Sequence, residues 1–592
     1  MNKRFLAAIL ACLLLTGCGA RRTEPLSEEP AAGGEHIAYV PLDDRPDNVE
    51  RVVYLAESLG YTLDMPEADL YRTRLDSQPL NENGTQYGDM AALYEWVLDR
   101  EATGCDRYIL SLDQLLSGGL VNSRHTAETL TVTLSNGTEM TDAELLESLM
   151  EALSADRNNQ VWLLDSVMRL APTVGYAGFG VEEYNALRSY GMEPRPELTG
   201  ADLTVENIVA DYRLGGGGTA LAPGDFGLME EQVDDYLAAR QRKLTLTAQM
   251  LETRQRAGYG NYRVLIGIDD SSEEESIQKN EIAYLRSQLR EGDALLSGVD
   301  DLAFKAVAKL YLEEHGWQGA AVSVRYFGGT EDQPACAYDY QPLTAIVAEH
   351  AEFFDLSLHD GADPGEMQLL VLTQPADEAD KGRYMDALIS ALNDCRKDHI
   401  PTILIDASNG RYAASYYEKL TKETELGYLL SYSGFLDMAI VTGTALSHGV
   451  ARYAFLQSGQ QTEATERAFV RTLADSVIKD FCYKHVVRED LLAYIRNDLG
   501  ASADNFWNPD TDRAAILSRL ESGMDAASAD VLKNLEQSNF ISSLDPYEER
   551  GWGGVALENY RFPWDRAFEI GMDIRLGDFT EPHKAVLGFY YQ

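Results

Sequence analysis

The feature that most limits what this chain can fold into is a series of short apolar runs that do not alternate with polar residues. They fall at 37–41, 107–112, 161–164, 262–268, 321–327, 367–372, 401–405 and 428–431. A strand with one wet face alternates, so a near-continuous run indicates a strand covered on both faces, as in parallel sheets. Between the runs lie longer segments with apolar residues at helical spacing, such as 90–101, 144–154, 230–255 and 300–315. Repeated strand–helix units predict an α/β fold with largely parallel sheets, either tandem open sheets or an elaborated barrel. Uneven spacing over 592 residues favours the tandem arrangement. Helical patterning at 463–495 and 512–537, then strand-like runs at 560–564 and 568–576, predict a helical C-terminal part with a short strand-rich tail. No repeat of solenoid period stands out. The expected divisions are 36–290 and 291–455 for two α/β domains and 456–592 for the helical region and tail.

Acidic residues recur where these apolar runs end: Asp43 and Asp44, Asp113, Asp165, Asp269 and Asp270, Asp300 and Asp301, and Asp406 with Asn409. In parallel α/β folds the carboxyl ends of the strands share one edge, and ligands bind there. Several carboxylates are therefore expected in one cleft, with Arg45 and Arg124 placed to pair with them or to hold an anionic group. One carboxylate after a strand is commonly a helix cap or turn residue. The pairs Asp43–Asp44 and Asp269–Asp270 exceed what a cap needs, and adjacent acids can divide acid and base roles. Asp269, Asp270, Asp43, Asp44 and Asp113 are the candidate catalytic residues. Arg45, Arg124, Asp300, Asp406, Asn409 and Trp564 are the candidate substrate contacts, the last from a segment at 562–569 that joins aromatics to charge. Adjacent carboxylates could also ligate a divalent cation through oxygen, but no motif specifies one, and no cofactor is expected. The nine histidines form no HxxxH or HExxH pattern. Residues 215–218 are four glycines outside any phosphate-loop pattern and read as a loop. The small-residue segment 431–449, with Gly434, Gly443 and His448, fits either a helix opening at a ligand or close packing.

The first residues carry an address. Lys3 and Arg4 precede an uncharged apolar run at 5–15, shorter than the roughly 20 residues a membrane-spanning helix needs. Leu15-Thr16-Gly17-Cys18 follows and resembles the processing site of bacterial lipoproteins. Residues 1–17 read as a signal peptide, Cys18 as the lipidated residue, and 18–35 as a flexible tether poor in apolar bulk. The expected location is the extracytoplasmic side of a cell membrane, held by the lipid. Lys and Arg total 50 against 96 Asp and Glu, a net charge of −46, which repels phosphate backbones and excludes nucleic acid as a partner. Of six cysteines, Cys105, Cys336, Cys395 and Cys482 remain in the body without CxxC spacing; they read as buried thiols or one or two disulfides.

The stretches PLDDRP at 41, SLDQLLSGGLVNSR at 111, IDD at 268, GVDD at 298, IDASNG at 405 and FPWDRAFEI at 562 resemble a bacterial family, domain of unknown function 4127. The resemblance runs from about 36 to 592. It implies the fold and export and names no substrate. The chain departs from the family pattern at Phe435 and Asp437, where Trp and Asn are expected. Export, strand-end carboxylates and aromatic-acidic segments together suggest a surface hydrolase acting on carbohydrate, with a small molecule or glycan as substrate. The alternatives are a non-catalytic solute-binding lipoprotein and a metal-assisted Asp-cluster enzyme. Cys18→Ala should block lipidation; metabolic labelling with a fatty acid that persists in this variant would exclude Cys18 as the anchor.

Overall fold

The computed structural model describes residues 34–583 except 272–275, 361–364, 435–436, 509 and 545–546. The signal segment, Cys18 and Phe435 lie outside the described residues. Strands β1 (Glu35–Val40), β2 (Tyr61–Asp64) and β3 (Arg107–Ser111) are followed by a small hairpin, β4 (Thr131–Thr133) with β5 (Glu139–Thr141). Then come β6 (Gln160–Val167), β7 (Tyr262–Ile268) and β8 (Ala294–Ser297). Apart from the hairpin these form one six-stranded sheet, order β2-β1-β3-β6-β7-β8, with every pair parallel. Its last strand lies beyond residue 290. A second all-parallel sheet contains β9 (Ala320–Phe327), β10 (Leu356–His359), β11 (Met367–Leu372), β12 (Thr402–Asp406) and β13 (Ser431–Gly434), order β10-β9-β11-β12-β13. These are two open sheets in tandem, not a barrel. Both wind alike: the first strand sits between the second and the third. Each therefore has a topological switch point beside its first strand, where such folds bind ligands.

The apolar runs are explained by burial on both faces. In β1, Ile37 and Tyr39 point into a core between the two sheets, while Ala38 and Val40 point into the outer core of the first sheet. In β11, Leu369 and Val371 face the shared core and Leu370 and Leu372 the outer core of the second sheet. This is the two-residue period of a strand with no wet face. Helices Glu50–Ser58, Leu302–Glu314, Leu343–Phe353 and Met438–Ser458 fill the shared core. Met90–Ala102, Asp142–Ser154 and Glu230–Ala257 cover the outside of the first sheet. Lys381–Lys397 covers the outside of the second, with Arg513–Gln537 in the same outer core, while Glu463–Ser476 packs on Glu50–Ser58 beside β13. The result is five layers, helix, sheet, helix, sheet, helix.

Local departures have local causes. The expected strand at 428–431 forms only from Ser431, because Leu426–Tyr428 is a 3₁₀ turn held by Asn534, which accepts from Leu426 N and donates to the carbonyls of Thr421 and Thr424. In the tail, β14 (Phe540–Leu544), β15 (Tyr547–Trp552), β16 (Val555–Arg561), β17 (Gly571–Leu576) and β18 (Phe579–Thr580) are short and pair antiparallel. The expected 560–564 strand thus ends at Arg561, and Pro563 opens a turn. Residues 463–495 are helical, but Val477–Val487 is a π-helix. Cys105, Cys336, Cys395 and Cys482 are free thiols. The small-residue segment packs closely: a Cβ on Gly443 would lie 1.8 Å from Asp301 Oδ2, and one on Gly449 2.4 Å from Ile403 Cδ1. Gly443→Ala should therefore cost about 1–3 kcal/mol by overpacking, read as a lower urea midpoint; an unchanged midpoint would mean that the two helices separate freely here.

Candidate functional site

The carboxyl ends of both sheets meet. Ser271, after β7, donates its N–H to the carbonyl of Tyr338, after β9 (3.0 Å). Asp339 accepts from the N–H groups of Met438 (3.2 Å) and Ala439 (3.1 Å), capping the helix that follows β13. The π-helix completes the junction. Its Asp480 Oδ2 accepts from Ser433 Oγ (3.1 Å) and Gly434 N (3.3 Å) of β13 and from Arg51 of the helix after β1 (3.0 Å). Lys479 pairs with Asp47 (2.5 Å) in the β1 loop, and Lys484 with Asp480 (3.1 Å). Burial pushes the Glu569 carboxyl well above the usual range, with Asp47 beside it adding to the effect.

Five sequence candidates come together at the first sheet's edge. Asp43 is fully buried and accepts from the N–H of Arg45 and from Asn48 Nδ2, each at 3.0 Å. Arg45 spans the loops after β1 and β8, with Nη2 2.7 Å from Asp43 Oδ2 and 2.5 Å from Asp300 Oδ1. The Trp564 ring lies 4.9 Å from that guanidinium, and its indole N–H donates to Asp44 Oδ1 (2.8 Å). Nearby, Asp269 pairs with Arg124 (2.5 Å), which also reaches Thr173, and Asp270 pairs with Arg169 (2.6 Å). Burial raises the Asp437 carboxyl strongly, helped by Asp270, Asp339 and Asp300 around it.

Other candidates lie apart. Asp113 is buried and paired with Lys243 (2.7 Å), which also meets Asp165. Asp406 ends β12 in the second sheet, where it accepts from Ser408 N and Oγ and faces His485 Nε2 (2.8 Å). Asn409 is an exposed turn residue with φ 49°. These groups tie loops to strand ends. Among the described residues no cluster of three or more His, Cys, Asp or Glu side chains could hold a metal ion.

The open space lies on the Asp44 side. A cleft of about 320 Å³ is bounded by Asp44, Glu50, Arg72, Arg74, Trp507 and Trp564, among others. Burial raises the Asp44 carboxyl to about 6, against the pull of its hydrogen bonds from Trp564 and the Thr73 N–H. Trp564 (φ 56°) and Asp565 (φ 50°) hold consecutive left-handed backbone conformations. For bulky residues this costs energy that a functional site can retain. Sequence reading found Asp44 and Trp564 but missed Arg72, Arg74 and Trp507, which lie in loops without strand-end position or motif.

Asp269 is engaged in a buried ion pair. Its side chain and that of Arg124 are 3% and 6% exposed. Removing one charge of such a pair leaves the other buried and unpaired. Asp269→Asn should lower unfolding free energy by about 3–5 kcal/mol in urea titration. A wild-type midpoint would show that the pair is not needed for the fold.

Among the described residues no helix is long and apolar enough to cross a membrane. No curated protein and no solved structure matches the chain. A family model does, over residues 37–573, in keeping with the motifs at the strand ends and in the 562–570 segment. The chain belongs to the family described as protein of unknown function, DUF4127.

Proposed function

We propose that this protein is a lipid-anchored hydrolase of the cell surface that cleaves a glycosidic bond in the Asp44 cleft. The observation that carries the reading is the Asp44 carboxyl, raised to about 6 and held under the indole N–H of Trp564 in a cleft that Trp507 also lines. Indole faces suit stacking on sugar rings. A carboxylic acid protonated near neutral pH suits donation of a proton to a leaving oxygen. Glycosidases need a second carboxylate as base or nucleophile. Glu50 lines the same cleft; its Oε1 is paired with Arg561 and its Oε2 has no partner. In this reading Asp44 is the acid, Glu50 the second carboxylate, and Trp564 both the stacking surface and the group that orients Asp44. Asp43, Arg45 and Asp300 hold the loop that presents Asp44. The continuous core between the sheets weighs against a two-lobed binding protein that closes about a hinge.

The test is a screen of the purified chain on varied glycosides, followed by Asp44→Asn on any substrate found. General acid catalysis contributes about a hundredfold or more, so kcat should fall by about that much with little change in melting temperature. In the wild type, kcat should decline as pH rises through about 6, because the acid form is lost there. Undiminished turnover by Asp44→Asn would remove Asp44 from the mechanism.

A further inference from the structure

In a chain with 96 acidic and 50 basic residues, the cleft wall opposite the usual surface charge is notable for its arginines. Arg72 and Arg74 lie one residue apart around Thr73, and both line the cleft, with side chains 33% and 24% exposed. Each guanidinium carries five N–H donors, and each uses few of them. Arg72 donates to Asp69 Oδ1 at 3.4 Å, and Arg74 Nε donates to Asn81 Oδ1 at 2.9 Å. Their other carboxylate contacts, Arg72 to Asp44 and Arg74 to Asp69, are at 4.0 Å, beyond hydrogen-bond length. Asp69 is thus a single carboxylate shared by two guanidinium groups, and its Oδ2 is taken by the N–H of Glu82. Arg45 differs: it is saturated by Asp43 and Asp300. Asp44, 4.0 Å from Arg72, is bound to Trp564 and the Thr73 N–H.

Resting on the glycosidase reading of this cleft, we infer that its sugar is acidic: an anionic ring substituent, carboxylate or sulfate ester, docks between Arg72 and Arg74 while the ring stacks on Trp564. Planar forks of N–H donors match both anions, and such charge-assisted bonds are stronger than neutral ones. Burial and the neighbouring Arg72 hold the Arg74 pKa below its ordinary value, a repulsion that a bound anion relieves. The protein's overall negative charge does not oppose docking at this range, because fields between exposed charges are screened beyond about 8 Å at physiological salt.

The experiment titrates the full chain, in detergent, with tetragalacturonate, a sulfated carrageenan tetrasaccharide and neutral cellotetraose, following tryptophan fluorescence. At least one acidic probe should bind about tenfold more tightly than the neutral one, and the stronger acidic probe identifies the anion. Arg72→Gln and Arg74→Gln should each weaken that probe about tenfold and leave cellotetraose unchanged. Arg74→Lys, which keeps charge without the fork, should recover part of the loss. Equal binding of neutral and acidic probes, abolished by Trp564→Ala but untouched by the arginine variants, overturns the acidic-sugar inference and leaves the glycan cleft standing. No binding of any probe overturns both.

Discussion

The architecture depends on a layer of helices that two sheets share. Leu302–Glu314 is apolar nearly all round, with Leu302, Ala303, Phe304, Ala306, Val307, Ala308, Leu310, Tyr311 and Leu312 buried. Such a helix has no face to offer water and needs a neighbour on every side. The first sheet supplies one of those sides through β3, β6 and β7, Glu50–Ser58 a second, and Met438–Ser458 packs along a third, through glycines that let the backbones approach. Of the two lysines in this stretch, Lys305 is fully buried and is tolerated because Asp301 lies 2.9 Å away, one turn earlier. Fixing the sheets on a common layer also fixes their carboxyl edges side by side. That is why loops from β1, β7, β8, β9 and β13 can meet.

At that meeting place the balance between desolvation and pairing decides what each carboxylate is for. Asp43, Asp113, Asp269 and Asp480 are buried and would be costly as lone ions; each has an arginine or lysine against it. These pairs act as cross-links between loops distant in sequence, for example residue 45 to residue 300. Asp44 is different. Its nearest cation, Arg72, stands 4.0 Å off, and its close partners are an indole and a backbone N–H. A carboxyl group that is largely buried, hydrogen-bonded but not closely ion-paired is one whose proton is held near neutral pH. One residue of chain separates an acid closed in an ion pair from one that borders an open cleft.

Much of the fold was legible because burial on both faces leaves a plain mark in a sequence. The runs at 262–268 and 367–372 coincide with β7 and β11. The strand-end position of the acids was legible for the same reason. Which acid serves which purpose was not, since that depends on partners more than a hundred residues away: Arg124 for Asp269, Lys243 for Asp113, Trp564 for Asp44. Arg72 and Arg74 left no periodic or positional signal. The like winding of the two sheets was also hidden, because it resides in strand order, which residue-by-residue patterning does not encode. At 428–431 the apolar composition continued, but Asn534 from a distant helix bonds the backbone and turns it.

The shared middle layer has a consequence for how such a chain comes into being. Until Met438–Ser458 and the second sheet exist, Glu50–Ser58 and Leu302–Glu314, which lie on the first sheet, keep an uncovered apolar face, although the strands of that sheet are complete by Ser297. During synthesis from the N-terminus, well over a hundred residues must emerge before that face can close. Through this interval a growing chain is exposed to aggregation and has need of chaperones. The two halves, alike in winding, are for this reason not interchangeable modules: Met438–Ser458, which follows the second sheet, helps to complete the core of the first strands.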